Sequence, residues 1–264
     1  AKDDANIKGI FLNTSGIQTG FASLQELRDA IVDFKTSGKW VVSYADNYTE
    51  GAYYLASAAD KVYLNPEGDV EFNGLAIEVS FFKKLFDKLQ IRPEIFRVGD
   101  FKSAVEPFMR EDLSPENKLQ LNSILTSIYG EILKGVSDSR NIPYDKLKEI
   151  SDNMLVRNAG QAQSLGLVDS LFYDDQVKDL LRGRLGLEKN KKISLIPYHK
   201  YKKSFSALGS SKNEIAVIVA DGDILPGKAD QGVVGSTTIM NEIRRARNDD
   251  RVKAIGRKST RLNS

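Results

Sequence analysis

Cysteine is absent from this 264-residue chain, which excludes a disulfide scaffold, a thiol nucleophile and a cysteine-bound metal together. Histidine is nearly absent: His199 stands alone in the lysine-rich run YHKYKK, too isolated to supply a catalytic triad or a metal cluster. If the chain performs hydrolysis, lysine or a carboxylate must act as the general base, and no metal or other cofactor is expected. An excess of one charge is also lacking. With 38 Lys and Arg against 36 Asp and Glu, the net charge of +2 is too mild to argue for nucleic acid as a partner. No run approaches the roughly 20 apolar residues needed to span a bilayer, and the opening AKDDANIKG has no signal-peptide core. The chain as given reads as soluble, while a first residue other than Met leaves room for an anchor ahead of it.

What is present describes a globular protein. Apolar residues make up 41% and charged residues 28%, without low-complexity character, and the length suits one large domain or two ordinary ones. Ile7 to Asn13 reads as a buried strand and Ser23 to Ser37 as a helix with Leu24, Leu27, Ile31 and Phe34 on one face. Gly38 ends that helix and Trp40 to Ala45 gives the next strand, so the segment is a βαβ unit with parallel strands and a right-handed crossover. Thr49 is a candidate N-cap for the following helix, with Glu50 in its first turn to complement the helix dipole. KVYLNPEG then gives a strand stopped by Pro66. Glu78 to Leu89 carries Val79, Phe82, Leu85, Phe86 and Leu89 at helical spacing. Ile91 to Val98, rich in β-branched and aromatic residues, reads as a strand. The alternation predicts an α/β fold.

At Gly99-Asp100 that strand gives way to the run FKSAVEPF, which places Lys102 among Phe101, Ala104, Val105 and Phe108. A lysine desolvated there would have a lowered pKa and accept a proton near neutrality. The alternative is a lysine that rests its stem on apolar neighbours and keeps its ammonium in water. Pro107 limits how regular a following helix can be.

From Ser114 the pattern changes to a long helix, with Ser at the N-cap, Pro115 at the first position, Glu116 after it and about 25 residues of helical period. Shorter helices follow in PYDKLKEISDN, in AGQAQSLG before a strand at LVDSLF, and in DQVKDLLRGRLGL. Residues 189–212 read as a strand and a Lys-, Ser- and Gly-rich linker, whose lysines suit either anionic lipid headgroups or a solvated connector. A second unit begins at Asn213 with the strand EIAVIVAD and a Gly/Pro turn. GSTTIMNEIRRARNDD then gives a Thr-capped helix and VKAI a strand that echoes IKGI at Ile7 to Ile10. The final GRKSTRLNS breaks the strand pattern and reads as a non-native tail. The expected domains are thus 1–195, a linker 196–212, a second unit 213–255 and a tail 256–264.

Several of these segments carry a resemblance. IKGIFLN, VVSYADNYTEGAYYLASAADKVYLNP, VGDFKSAVEPF followed by DLSPEN, QAQSLGLVDSLF and IAVIVADGDILPG together resemble the signal peptide peptidase A, or protease IV, family in its long two-repeat bacterial form. The resemblance runs over residues 7–255. It implies a crotonase-like, ClpP-related α/β fold, here a first repeat plus the truncated start of a second. It also implies a Ser/Lys dyad, and it carries the family's general base onto Lys102. The nucleophilic serine would lie on a Gly-rich turn of the second repeat beyond this chain, so no nucleophile is expected here. In the first repeat the matching position holds Glu50, as if this copy kept the base and lost the nucleophile. Ser103 is read as a capping or solvated residue, because neighbours on an extended chain point apart.

The resemblance implies the N-terminal part of a membrane-associated bacterial serine endopeptidase that degrades cleaved signal peptides and hydrophobic peptide segments. Its parent would be a membrane-anchored homo-oligomer with the catalytic domain on the periplasmic, extracytoplasmic side, and this part alone would be inactive. The alternative is a non-catalytic oligomerisation and substrate-binding module of the same fold. An acyl-CoA enzyme of the same superfamily is a third reading, without a CoA signature to support it.

Overall fold

The computed structural model describes residues 1–96, 98–204, 211–229 and 232–260, leaving aside the side chains of 221 and 257–260. Arg97 in the expected strand, 205–210 in the expected linker and 261–264 in the expected tail lie outside the described residues. Two compact units divide the chain, Ala1–Ile193 and Ser194–Ser264.

The first unit runs β1 (Gly9–Asn13), α1 (Phe21–Lys35), β2 (Trp40–Ala45), α2 (Glu50–Ala56), β3 (Lys61–Leu64), α3 (Lys83–Lys88), α4 (Glu106–Met109), α5 (Pro115–Arg140), α6 (Tyr144–Asp152), α7 (Ala159–Ser164), β4 (Ser170–Leu171) and α8 (Asp174–Arg184). Its four strands pair in parallel in the order β1-β2-β3-β4, with Gly9 opposite Trp40, Val42 opposite Lys61 and Tyr63 opposite Ser170. Side chains alternate across a strand, and both faces of this sheet are covered. On β2, Val41 and Ala45 join the core built with α1, α2, α5, α6 and α7, while Val42 and Tyr44 pack with Val177 and Leu181 of α8. That two-sided burial explains why WVVSYA does not alternate: it is apolar at every position but Ser43, whose buried hydroxyl pairs with the Tyr48 hydroxyl at 2.9 Å.

The caps follow the sequence. Thr49 accepts the Ala52 N–H and starts α2, and Ser114 accepts the Asn117 N–H at 3.1 Å and starts the 26-residue α5. The stripe on α1 is buried at Leu24, Ile31 and Phe34, but Leu27 is exposed and Arg28 takes the inward position. Its guanidinium, over the Tyr54 ring at 4.6 Å, donates to Tyr54 O, Gly135 O, Ser57 Oγ at 2.8 Å and Ser139 Oγ at 2.6 Å, so one side chain ties α1 to α2 and α5. At the far end of α5, Arg140 donates to Gly166 O and to Asp169 Oδ2, which also accepts the Val62 N–H of β3.

Two expectations fail in one stretch. The helix expected over Glu78 to Leu89 is confined to Lys83–Lys88, and Ile91 to Val98 forms no strand among the described residues. A strand needs a neighbour to take its N–H and C=O groups, and composition does not supply one. No described strand lies alongside, and Phe96 and Val98 stand 91% and 89% exposed.

The second unit comprises α9 (Tyr198–Ser204), β5 (Glu214–Asp221), β6 (Asp223–Leu225), β7 (Val233–Gly235), α10 (Ser236–Arg247) and β8 (Val252–Thr260). A helix thus occupies part of the expected linker. β5 pairs in parallel with β8, and β6 with β7. Gly235, not a threonine, sits at the N-cap of α10. β8 continues past Ile255, where the strand was expected to end, because its backbone stays in register with β5 from Gly256 opposite Val217 to Thr260 opposite Asp221. Ladder hydrogen bonds are indifferent to the polar side chains that broke the sequence pattern.

Candidate active site

Lys102 sits on a short, sharply shaped segment. Gly99 has a φ of +92°, a left-handed conformation that costs glycine nothing and lets the chain reverse ahead of Phe101. Lys102, with φ −90° and ψ 76°, then leads into a 3-10 turn over Ser103–Val105 that continues as α4. Pro107 falls in the first turn of α4, where its missing N–H breaks no intrahelical bond. The Ser103 carbonyl accepts the Glu106 N–H and closes the 3-10 turn.

The apolar nest expected around Lys102 is not formed. Lys102 is exposed, Phe101 is 55% exposed and Phe108 also faces solvent. The reason lies upstream: Ile91 to Val98 forms no strand among the described residues, and none of these closes over the lysine. Phe108 packs outward instead, stacking with Phe82 and Phe86 at ring centroid distances of 6.2 and 6.0 Å. A backbone bond from Phe82 N–H to Pro107 O at 2.7 Å joins α3 to α4.

Glu106 anchors the other side and was missed by sequence reading. It is 0% exposed, and its Oε2 accepts the Asn117 side-chain amide at 2.8 Å and the Ser114 N–H at 3.2 Å. Burial pushes this carboxyl up, but the donors on Ser114 and Asn117 outweigh it and hold it below the ordinary value. Oε1 is buried without a hydrogen-bond partner among the described residues. The signal available in the sequence was an acid one helical turn after Lys102, inside an otherwise apolar run.

Glu50 stands in the first turn of α2, where it was expected to complement the helix dipole, but it is buried there. It is 7% exposed, and burial pushes its carboxyl up to about 7, with Glu71 acting in the same direction. The Gly74 and Asn73 amides and the Tyr129 hydroxyl oppose that shift, yet Glu50 Oε1 and Tyr129 Oη are both buried without a hydrogen bond of ordinary geometry. His199 lies exposed on α9. Among the described residues no cluster of His, Asp and Glu is placed to hold a metal, and no helix is long and apolar enough to cross a membrane.

Residues 33–188 match peptidase family S49. The chain is 36% identical over 266 residues to Protease 4 of Haemophilus influenzae, covering 97% of this chain and 43% of that protein. Against Protease 4 of Salmonella typhi it is 37% identical over 265 residues, covering 97% and 42%. Against the chloroplastic serine protease SPPA of Arabidopsis thaliana it is 33% identical over 261 residues, covering 95% and 38%. It spans about two fifths of the length of these relatives. A family match that takes in the lysine turn, Glu106 and the capped start of α5, with relatives aligned along nearly the whole sequence, shows that the chain belongs to peptidase family S49, as a member of the signal peptide peptidase A type.

Proposed function

We propose that this chain supplies the general base, Lys102, of a serine endopeptidase with a Ser/Lys dyad, and that the nucleophilic serine belongs to a second half not contained in this sequence. The substrates are cleaved signal peptides and other hydrophobic peptide segments, turned over by a membrane-anchored homo-oligomer on the extracytoplasmic side of a bacterial membrane. The observation that carries this reading is that the S49 match covers the segment in which Lys102 is exposed on a turn anchored at Glu106 and Pro107. A serine hydroxyl attacks a peptide carbonyl only as a base removes its proton, and neutral lysine can do so in place of histidine. Excluding water favours the neutral amine. The exposed Phe96, Val98, Phe101 and Phe108 around this turn give an apposed surface the apolar groups with which to exclude it. The same residues favour the second reading, a non-catalytic assembly module.

The test separates the two. In a polypeptide that joins this chain to a serine-bearing half, Lys102→Ala and Lys102→Arg should both lower hydrolysis of a signal-peptide substrate by about 10²- to 10⁴-fold, the usual contribution of a general base. Arginine keeps the charge but cannot be deprotonated. Thermal unfolding should be unchanged, since Lys102 is exposed. An active arginine variant overturns the assignment in favour of the assembly module.

A further inference from the structure

We propose that Glu106 is a positioning residue for Lys102, locking the lysine-bearing turn onto the N-terminus of α5 through Ser114 and Asn117. This rests on the reading of Lys102 as the base. Lys102 makes no hydrogen bond or ion pair among the described residues, so its placement comes from the backbone that carries it. That backbone is compact: the 3-10 turn and α4 put Lys102 and Glu106 one helical turn apart, so any shift of Glu106 is passed to the lysine.

Among the described residues the segment is held on two sides, and the two differ in kind. The Pro107 and Phe108 contacts reach α3, whose helix has no buried residue, and the aromatic rings involved are partly exposed. The Glu106 attachment reaches α5, whose other end is set in the core by Ile132, Leu133 and Val136 and bound to the sheet by Arg140. Among the described residues, it is the second that links Lys102 by side-chain hydrogen bonds to the rigid body of the unit. A fully buried carboxylate is costly unless donors meet it, and here two donors from the first turn of α5 do, where the helix dipole also favours negative charge. An apolar residue would fill the space without fixing a direction, whereas two hydrogen bonds on one oxygen fix both distance and orientation. Displacing a catalytic group by about 1 Å costs on the order of 10²-fold in rate.

The experiment uses an exchange of charge across the pair. Asn117→Asp sets a second carboxylate against Glu106 and should lower kcat by about 10- to 100-fold with KM within about threefold, by the misplacement argument. Adding Glu106→Gln restores a donor facing an acceptor once the side chain turns, so that the amide oxygen takes the Ser114 N–H and the amide nitrogen, in place of the unpartnered Oε1, donates to the carboxylate introduced on α5; the double variant should recover most of kcat. In the chain alone, tryptic cleavage after Lys102 under native conditions should accelerate about tenfold in Asn117→Asp and return towards the parent rate in the double variant, as expected when a local contact is lost and restored. A carboxylate with a merely structural role would change the unfolding midpoint without this reciprocal rescue of kcat. Full kcat in Asn117→Asp, or no rescue in a double variant that folds, overturns the proposal. An active Lys102→Arg enzyme whose tryptic rates still follow the exchange would instead sink the base assignment, and with it the positioning role, while leaving the contact itself in place.

Discussion

Arg140 Nη1 meets Asp169 Oδ2 at 2.8 Å, and this pair fastens the last residue of α5 to the edge of the sheet. Helix α5, with 26 residues at about 1.5 Å each, reaches roughly 39 Å. It is therefore a strut, with Asp169 and the core at one end and the Glu106 attachment at the other.

Removing Arg140 should be felt throughout the first unit. Asp169 would keep the Val62 N–H and Lys61, but its carboxylate would lose the guanidinium in a largely buried position. Arg140→Ala should cost about 2–3 kcal/mol, measured by urea unfolding. Burial alone would raise the Asp169 carboxyl, yet the bonds from Val62, Arg140 and Lys61 lower it below 3.8. Its contribution is thus present above pH 3.8 and lost as pH falls through the lower folded value. The Arg140→Ala protein should lose less stability in acid than the parent. An equal loss would contradict the pairing.

Glu50 behaves in the opposite sense. With its carboxyl raised from 4.5 to about 7, the folded state holds a proton between those values that the unfolded state has released. Stability should fall as pH rises from about 4.5 to about 7 and then level off. Glu50→Gln should remove this slope and be more stable than the parent at pH 8 by about 1–3 kcal/mol. Urea midpoints at pH 5 and 8 decide it, and parallel behaviour of the two proteins would show that the buried carboxyl is not the cause.

Two glycines of α5 should respond oppositely to the same change. A Cβ on Gly135 would lie 2.7 Å from a Tyr54 ring carbon and 3.1 Å from Arg28 Nε, whereas one on Gly130 would meet only Tyr144 Oη at 3.9 Å. Alanine gains about 1 kcal/mol of helix propensity at either site. At Gly130 that gain should appear as higher stability. At Gly135 overpacking costs about 1–3 kcal/mol and disturbs the buried Arg28, so Gly135→Ala should be net destabilising. Equal thermal shifts in the two variants would refute the close approach of α2 to α5.

The elements legible in the sequence are those whose evidence is local. Ser114, Pro115 and Glu116 announce α5 because a cap, a first-turn proline and a first-turn acid act within one turn of each other. Trp40 to Ala45 was legible as a strand because a run buried on both faces is apolar nearly throughout, here at every position but Ser43. Ile91 to Val98 misled for the complementary reason: its side chains suit a strand, but a strand exists only against a neighbour.

For the candidate site, the sequence by itself determined the lysine, the glycine turn before it, the proline after it and the family resemblance those residues carry, because each acts within a few positions of Lys102. Only the tertiary structure decided that Lys102 is exposed, that Glu50 is buried, and that Glu106 and Arg28 face inward. Burial of a charged group depends on donors and acceptors brought from elsewhere, and Arg28 finds its own on Gly135 and Ser139, 107 and 111 residues along the chain. Nothing in the local composition records that distance.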